Sequence, residues 1–323
     1  MALLESVAPE TAGDPMSQKK WIRSSLRNLR HRLKQQGYIT STPTIRRLLK
    51  KAKFTLKANA KRDAGKQHPD RNQQFEHLGA QRTLFLEAGL PVISIDTKKK
   101  ELIGNYKNNG RTWCHEAERV SIHDFAEEGT IRAVPYGLYD VTHNRGFVSV
   151  GTSADTPEFA VDVIASWWKT HGQATYPKAT RLLILADSGG SNGCHPRAWK
   201  LFVQQRLSDR FGLEVTICHY PAGCSKWNPI EYRLFSPISI NWAGEPLRSL
   251  DIMLSCLNAT TTCKGLTVQA ILLDRVYQTG QTATDAEMVA LHLERHTVCP
   301  RWNYSFQPRL VDGELSENTE VVS

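Results

Sequence analysis

The sequence predicts an α/β fold, a mixed sheet with helices on both faces, preceded by a small basic helical region. Three observations predict it. β-branched and apolar runs near 92–96, 132–141 and 146–151 read as a three-strand meander. From Pro157 onward helical and strand patterns alternate. Positive charge is confined to the front of the chain: residues 1–90 hold 18 Lys/Arg against 7 Asp/Glu, a net +11, while the remainder holds 23 against 25, a net −2.

The front comes first. After a start rich in Ala, Gly and Pro (1–18), expected to be flexible, residues 20–36 read as a basic amphipathic helix. Ile22, Leu26, Leu29 and Leu33 lie on one face, Arg23, Arg27, Arg30 and Lys34 elsewhere, and Gly37 stops it. Ser41 or Thr42 can cap a second helix in which Pro43 suits the first turn. Ile45, Leu48 and Leu49 form its buried side, and Arg46, Arg47, Lys50 and Lys51 project. Helix, short turn, basic helix is the order of a helix-turn-helix DNA reader, an order shared by many helical hairpins. A basic connector with Lys61, Arg62, Lys66 and Arg71 leads into a helix from Asn72 to Ala88.

A second domain starts at Gly89. PVISID is a short strand carrying Asp96, followed by Thr97, Lys98, Lys99 and Lys100. The strands 132–141 and 146–151 are separated by the turn residues His143, Asn144 and Arg145. Pro157 opens a helix through Phe159, Val163, Ile164, Trp167 and Trp168, both tryptophans read as core, that ends near Gly172. In RLLILADSGGSNG the run Leu182–Ala186 is a fully buried strand by pattern, ending on Asp187 and a glycine-rich turn. A helix from about Pro196 to Phe211, the strand 214–219 and the loop YPAGCSKW reach Asn228. The order βββαβαβα indicates a mixed sheet covered on both faces, by analogy a ribonuclease H-like fold. The expected divisions are 1–18, 19–60 (helix-turn-helix-like), 61–88 (connector and helix), 89–310 (catalytic) and a flexible tail at 311–323.

Composition narrows the class. A chain of 323 residues with 40% hydrophobic content can bury a substantial core in two or three units. No run approaches the roughly 18–20 apolar residues that span a bilayer, and the start lacks a basic n-region followed by an apolar core. The expectation is a cytoplasmic, nucleoid-associated protein with no membrane partner. Seven cysteines without a CxxC pair fit reduced thiols. The Cys/His neighbours Cys114–His115, Cys194–His195 and Cys218–His219 match no common zinc spacing. His115, His123, His143, His171 and His219 are read as structural. Segregated positive charge points to a polyanion held by the N-terminal part.

Three carboxylates stand out by position. Asp96 interrupts an apolar strand, Asp187 ends a buried one, and Glu231 opens the helix after the last strand. Strand ends of an open sheet are where side chains from several elements converge. Carboxylate oxygens are hard ligands suited to Mg2+ or Mn2+, and two such ions can stabilise attacking and leaving oxygens in a phosphodiester displacement. Each residue has a plainer reading: Asp96 paired with a lysine, Asp187 in an Asx-turn, and Glu231 as the N3 member of a capping box begun by Asn228. Around them, Lys98, Lys226 and Asn228 are candidate DNA contacts. Gly189, Gly190 and Gly193 either admit a DNA backbone or simply form a tight turn.

The blocks ISIDTKKKELIGNYKNNGR, HDFAEE, AVPYGLYDVTHNRGFVSVG, DTPEFAVDVIASWW, LLILADSGGSNG, CHYPAGCSKWNPIEYRLFSPISINW and WNYSFQP resemble, in order, the Rhodopirellula-type DDE transposase family of bacterial insertion sequences. They cover most of residues 66–308. The resemblance implies a ribonuclease H-like catalytic domain whose acidic triad is Asp96, Asp187 and Glu231. It further implies divalent metal, and strand cleavage followed by transfer of a 3′-hydroxyl to target DNA. Ala222, Cys224 and Tyr232 stand where the family commonly has Pro, Thr and His. Family members tend to begin further upstream, which implies a shortened end-recognition region here.

The sequence-level expectation is therefore a metal-dependent transposase acting on element ends and target DNA, as a homodimer or higher oligomer on DNA. Two alternatives stand beside it. A ribonuclease H-like nuclease would cut without strand transfer, and a degenerate transposase-derived protein would only bind DNA.

Overall fold

The computed structural model describes residues 11–13, 20–22, 25–52, 54, 68–111, 119–121 and 130–309. Arg23, Lys61, Arg62, Lys66, Cys114, His115, His123, the HDFAEE block, most of the 1–18 start and the 311–323 tail lie outside them. The chain divides into two compact units, Met1–Gly65 and Lys66–Ser323.

In the first unit β1 (Thr11–Gly13) and β2 (Lys20–Ile22) pair antiparallel. Helix α1 (Leu26–Gln35) therefore begins later than the apolar periodicity from residue 20 predicts. Ser25 caps it, its hydroxyl accepting from the Asn28 amide at 3.2 Å, and residues 20–22 belong to the strand pair. Gly37 ends the hairpin's first arm at a φ of +86°, where a side chain would be strained. Helix α2 (Thr42–Lys51) is capped by Ser41, whose hydroxyl accepts from the Thr44 amide at 3.3 Å, with Pro43 in the first turn. Leu29, Leu33 and Ile45 form a small core with Leu26 and Leu49 against it.

The second unit is built on one mixed sheet. Its strands are β3 (Val92–Thr97), β4 (Glu101–Leu102), β5 (Arg132–Asp140), β6 (Arg145–Gly151), β7 (Arg181–Asp187), β8 (Glu214–Tyr220), β9 (Thr267–Leu272), β10 (Leu293–Arg295) and β11 (Asn303–Phe306). The order across the sheet is β10-β11-β8-β7-β3-β5-β6-β9, with β4 on β5. β3, β7 and β8 run parallel, while β5 is antiparallel to β3. The turn between β5 and β6 places Asn144 at a φ of +53°, which asparagine tolerates.

Side-chain alternation sends successive residues to opposite faces. Ile93, Ile95, Tyr136, Leu138, Leu182 and Ile184 pack under α4 (Pro157–Trp167) and α5 (Arg197–Val203), with Trp167, Trp168 and Trp199 buried among them. Val92, Leu183 and Leu185 pack on the other face under Leu78 and Phe85 of α3 (Arg71–Glu87). Helix α3 therefore belongs to the sheet, not to a connector: its apolar side is consumed by β3, β7 and β8. That face is completed by a π-helical turn, Glu231–Phe235, running into α6 (Ser236–Asn241), and by α7 (Leu250–Asn258). Helix α8 (Asp285–Val289) opens with a capping box between Thr284 and Glu287.

Two glycines let the Glu231 turn sit this low. A Cβ at Gly137 of β5 would lie 2.5 Å from the Phe235 ring and 2.9 Å from Ile230, and one at Gly146 of β6 would lie 2.3 Å from Leu234. Among the described residues no helix is long and apolar enough to cross a membrane. Cys194, Cys218, Cys224, Cys256, Cys263 and Cys299 are free thiols.

Candidate active site

The parallel register sets Ile95 of β3 beside Ala186 of β7, so the next residues, Asp96 and Asp187, stand side by side at the carboxyl ends of two adjacent strands. Asp96 shares its face with Val92 and Ser94, and Asp187 shares its face with Leu183 and Leu185. Both therefore point to the face on which the Glu231 turn packs. They line an open cleft of about 520 Å³ with Thr97, Lys99, Lys100, Asp155, the turn from Ser188 to Gly190, Asn192 and the 221–225 loop.

Glu231 is not a helix cap. The capping box would require its carboxylate to accept from the Asn228 amide, yet that N–H donates to the Ser225 carbonyl at 2.8 Å. The Asn228 side chain is engaged elsewhere. Its Nδ2 donates to the Asp187 carboxylate at 3.1 Å and to the Ile95 carbonyl at 3.2 Å, and its Oδ1 accepts from the Ser94 hydroxyl. Ser94 Oγ in turn accepts from the Ile230 amide at 3.0 Å. One amide thus ties β3, β7 and the start of the Glu231 turn together.

Electrostatics report the convergence. Burial, reinforced by Asp187 and then by Glu231 and Asp155, pushes the Asp96 carboxyl up to about 8 against the opposing Thr97 amide. Burial also raises Asp187, with the Asn228 hydrogen bond opposing. Glu231 is raised by burial and by Asp187, while Lys98 pulls it down. All three acids are raised even with Lys98 nearby, so the group favours protons, or a cation in their place. As they stand, no three His, Cys, Asp or Glu side chains among the described residues are close enough to enclose an ion. The all-oxygen donor set fits a hard divalent cation.

The candidate DNA contacts separate into two groups. Arg46, Arg47, Lys50 and Lys51 are exposed on α2, and the first three line a groove with Leu26, Thr42 and Pro43. Lys226 is exposed beside the cleft. Asn228 and Lys98 are buried, unlike the other candidates. Asn228 is 0% exposed and bonded through both side-chain polar atoms, with Nδ2 on the Asp187 carboxylate. Lys98 is 8% exposed, pairs with Glu101 at 2.9 Å and lies 4.5 Å over the Trp242 ring; it belongs to the cleft wall, from which its charge acts on Glu231. The Ser188–Gly193 turn needs two of its glycines for shape: Gly190 has a φ of +77°, and a Cβ at Gly193 would lie 2.8 Å from the Ser188 carbonyl.

Two participants escape the sequence reading. Asp155 enters the cleft and accepts from the Thr97 hydroxyl at 3.3 Å. Its signal, an aspartate just before Thr156–Pro157, looks like ordinary helix-start chemistry, and Thr156 is indeed the cap of α4. The second is the brace behind Asp187. His219 Nδ1–H donates to the Asp187 carbonyl at 2.8 Å, while Nε2 accepts from the Tyr304 hydroxyl at 2.8 Å. Burial holds His219 at about 4, hence neutral, consistent with a structural part.

A family model described as the Rhodopirellula transposase DDE domain matches residues 2–308. Among solved structures, the chain is similar to a Mos1 transposase paired-end complex with left transposon end, at 12% identity and a TM-score of 0.42, covering 74% of this chain and 71% of that one. It is similar to the Mos1 strand transfer complex at 13% identity and a TM-score of 0.44, with the same coverage. No curated protein matches the sequence significantly.

Proposed function

Because the chain belongs to the Rhodopirellula-type DDE transposase family, we propose that Asp96, Asp187 and Glu231 are the acidic triad with which this transposase cuts and rejoins DNA. The observation that supports the assignment is the placement of Asp96 and Asp187 side by side at the ends of β3 and β7, with Asn228, three residues before Glu231, bonded to Asp187 and making none of the side-chain bonds of a helix cap. Asp155, beside Asp96 in the same cleft, is a fourth oxygen donor within reach of the site.

DDE transposases use divalent metal; we assign Mg2+ or Mn2+ to these carboxylates. When bound, such ions stabilise the attacking and leaving oxygens of a phosphodiester displacement. The chain's own residues fix the geometry. Asn228 aims the Asp187 carboxylate, Thr97 N–H donates to Asp96 Oδ1 at 2.8 Å, and Lys98 supplies positive charge next to Glu231. Water is the nucleophile for cleavage of the element end, and the liberated 3′-hydroxyl is the nucleophile for joining to target DNA. Arg46, Arg47, Lys50 and Lys51 hold DNA phosphates, with Lys226 and the exposed Lys99 and Lys100 contributing near the cleft. Action on DNA as a dimer or larger assembly belongs to the same proposal.

Asp96→Asn, Asp187→Asn and Glu231→Gln are each expected to abolish cleavage while DNA affinity stays within a few-fold. The assay is the protein with Mg2+ or Mn2+ on DNA carrying the genomic junctions that flank the element, scored for cleaved and for joined products. Wild-type cleavage by any variant removes that residue from the triad. Cleavage without joining moves the reading to a nuclease, and undiminished cleavage in chelator ends the metal assignment.

A further inference from the structure

We propose that Trp227 is a stacking platform for one DNA base drawn out of the duplex beside the cleaved bond, an inference that rests on the acidic site proposed above. Trp227 closes a single 3₁₀ turn, Ser225–Trp227. Ser225 lines the cleft with Asp96 and Asp187, and the next residue, Asn228, is bonded to Asp187. The ring therefore stands between a residue that lines the cleft and one that holds Asp187.

The ring is open where four other described indoles of the unit are closed. Trp227 is 51% exposed, whereas Trp167, Trp168, Trp199 and Trp242 are buried. It is nevertheless held in place. Phe75 meets it edge-on, with centroids 6.2 Å apart and planes at 77°, and Phe75 is itself backed by Tyr220 at 6.1 Å and by the Arg71 guanidinium at 4.9 Å. A large π surface fixed in this way needs little further ordering to accept a flat partner.

Charge selects that partner. Lys226 Nζ, on a flexible exposed side chain, sits over the Trp227 ring at 5.6 Å from its centroid, Arg71 stands behind Phe75, and Lys99 and Lys100 are exposed along the cleft. An aromatic face flanked by cations matches a nucleobase with its phosphate, since bases stack on aromatic side chains regardless of sequence while Lys and Arg hold the backbone. A second copy of the chain would call for further apolar surface around the ring instead of cations. A base at a cut end costs less to draw out than one inside the duplex, because its stacking neighbour is gone on one side.

The test is a coupling measurement made in chelator, so that binding is read without cleavage. Full-length protein is titrated with a precleaved element end ending in a 3′-hydroxyl, with an abasic site placed in turn at each position next to the cut. The wild type is expected to lose about ten-fold in affinity at one position. W227A is expected to bind the intact end about ten-fold more weakly and to be indifferent to the abasic site there. W227L, which keeps contact with Phe75 but lacks a π face, is expected to behave like W227A, and serves if W227A does not fold; W227F retains most of the coupling. Equal abasic profiles for wild type and W227L overturn the proposal, as does a change in oligomeric state in place of the coupling. Cleavage retained by Asp96→Asn would refute the triad without altering these profiles, so the two failures are distinct.

Discussion

The two units solve different problems with different amounts of core. The Met1–Gly65 unit secures its helix pair with Leu29, Leu33 and Ile45 and leaves Arg46, Arg47, Lys50 and Lys51 in solvent. The sheet unit buries both faces of its central strands and fixes even its polar parts, with Asn228 joining three elements through one side chain. Phosphate binding tolerates mobile cations on a thin scaffold, because long-range charge does the work. Positioning carboxylates does not tolerate it. DNA affinity and catalytic geometry are accordingly expected to be separable by mutation.

Removing the first unit breaks the comparison most severely. Deleting residues 1–65 is expected to flatten the dependence of log K on log salt by about 3 to 4 if all four α2 cations meet phosphates, measured by titration across salt concentrations. The sheet unit should keep its cooperative unfolding, since its cores contain none of those residues. An unchanged slope would mean that α2 does not hold DNA.

The next perturbation is aimed at the other unit. Asn228→Ala strips partners from Asp187, Ser94 and the Ile95 carbonyl, and is expected to destabilise the protein by about 2–4 kcal/mol and to lower cleavage sharply at unchanged DNA affinity. Asn228→Asp should be worse for activity, because it sets a like charge against Asp187. Denaturant unfolding and the cleavage assay read the two effects; wild-type behaviour of Asn228→Ala in both would show that the amide is incidental.

The last effect concerns pH. Asp96, held at about 8 in the fold against its ordinary 3.8, keeps its proton when folded and loses it when unfolded. Its contribution to stability is fully present below pH 4 and is lost as pH rises toward 8. Metal-free protein should therefore show a melting temperature that falls over this window more steeply than that of Asp96→Asn. Parallel curves for the two proteins would contradict the raised value.

Much of this arrangement is legible in the sequence, for reasons that also explain the gaps. Strands β3 and β7 are buried on both faces and so read as apolar runs, broken in β3 only by Ser94, and an aspartate at the end of such a run is conspicuous. Helix α2 carries its own cap and proline. By contrast, β11 alternates Tyr304 and Phe306 with Asn303 and Ser305, which looks half-exposed although all four are buried; Asn303 bonds to Gln74 and Ser305 to Thr216 and His296. Those partners are remote in sequence, so no local pattern contains them. β9 and β10 lie at the sheet edges and have similarly weak patterns. Asn228 and Glu231 have the spacing of a capping box, and only the third dimension shows that the asparagine is occupied by β3 and β7. The box that does form, at Thr284 and Glu287, has the same kind of local signature and no neighbour to divert it.

The Gly137 and Gly146 trough bears on how copies of such an element age. The depth at which the Glu231 turn rests on the sheet is set by two missing methyl groups, since a Cβ at either position would meet Phe235, Ile230 or Leu234 well inside contact distance. On the triad proposed above, a single alanine there is expected to lift Glu231 away from Asp96 and Asp187 without changing the identity of any acid. Counting intact triads among related genomic copies would therefore overestimate how many can still move, and the glycines of β5 and β6 belong in that census with the acids themselves.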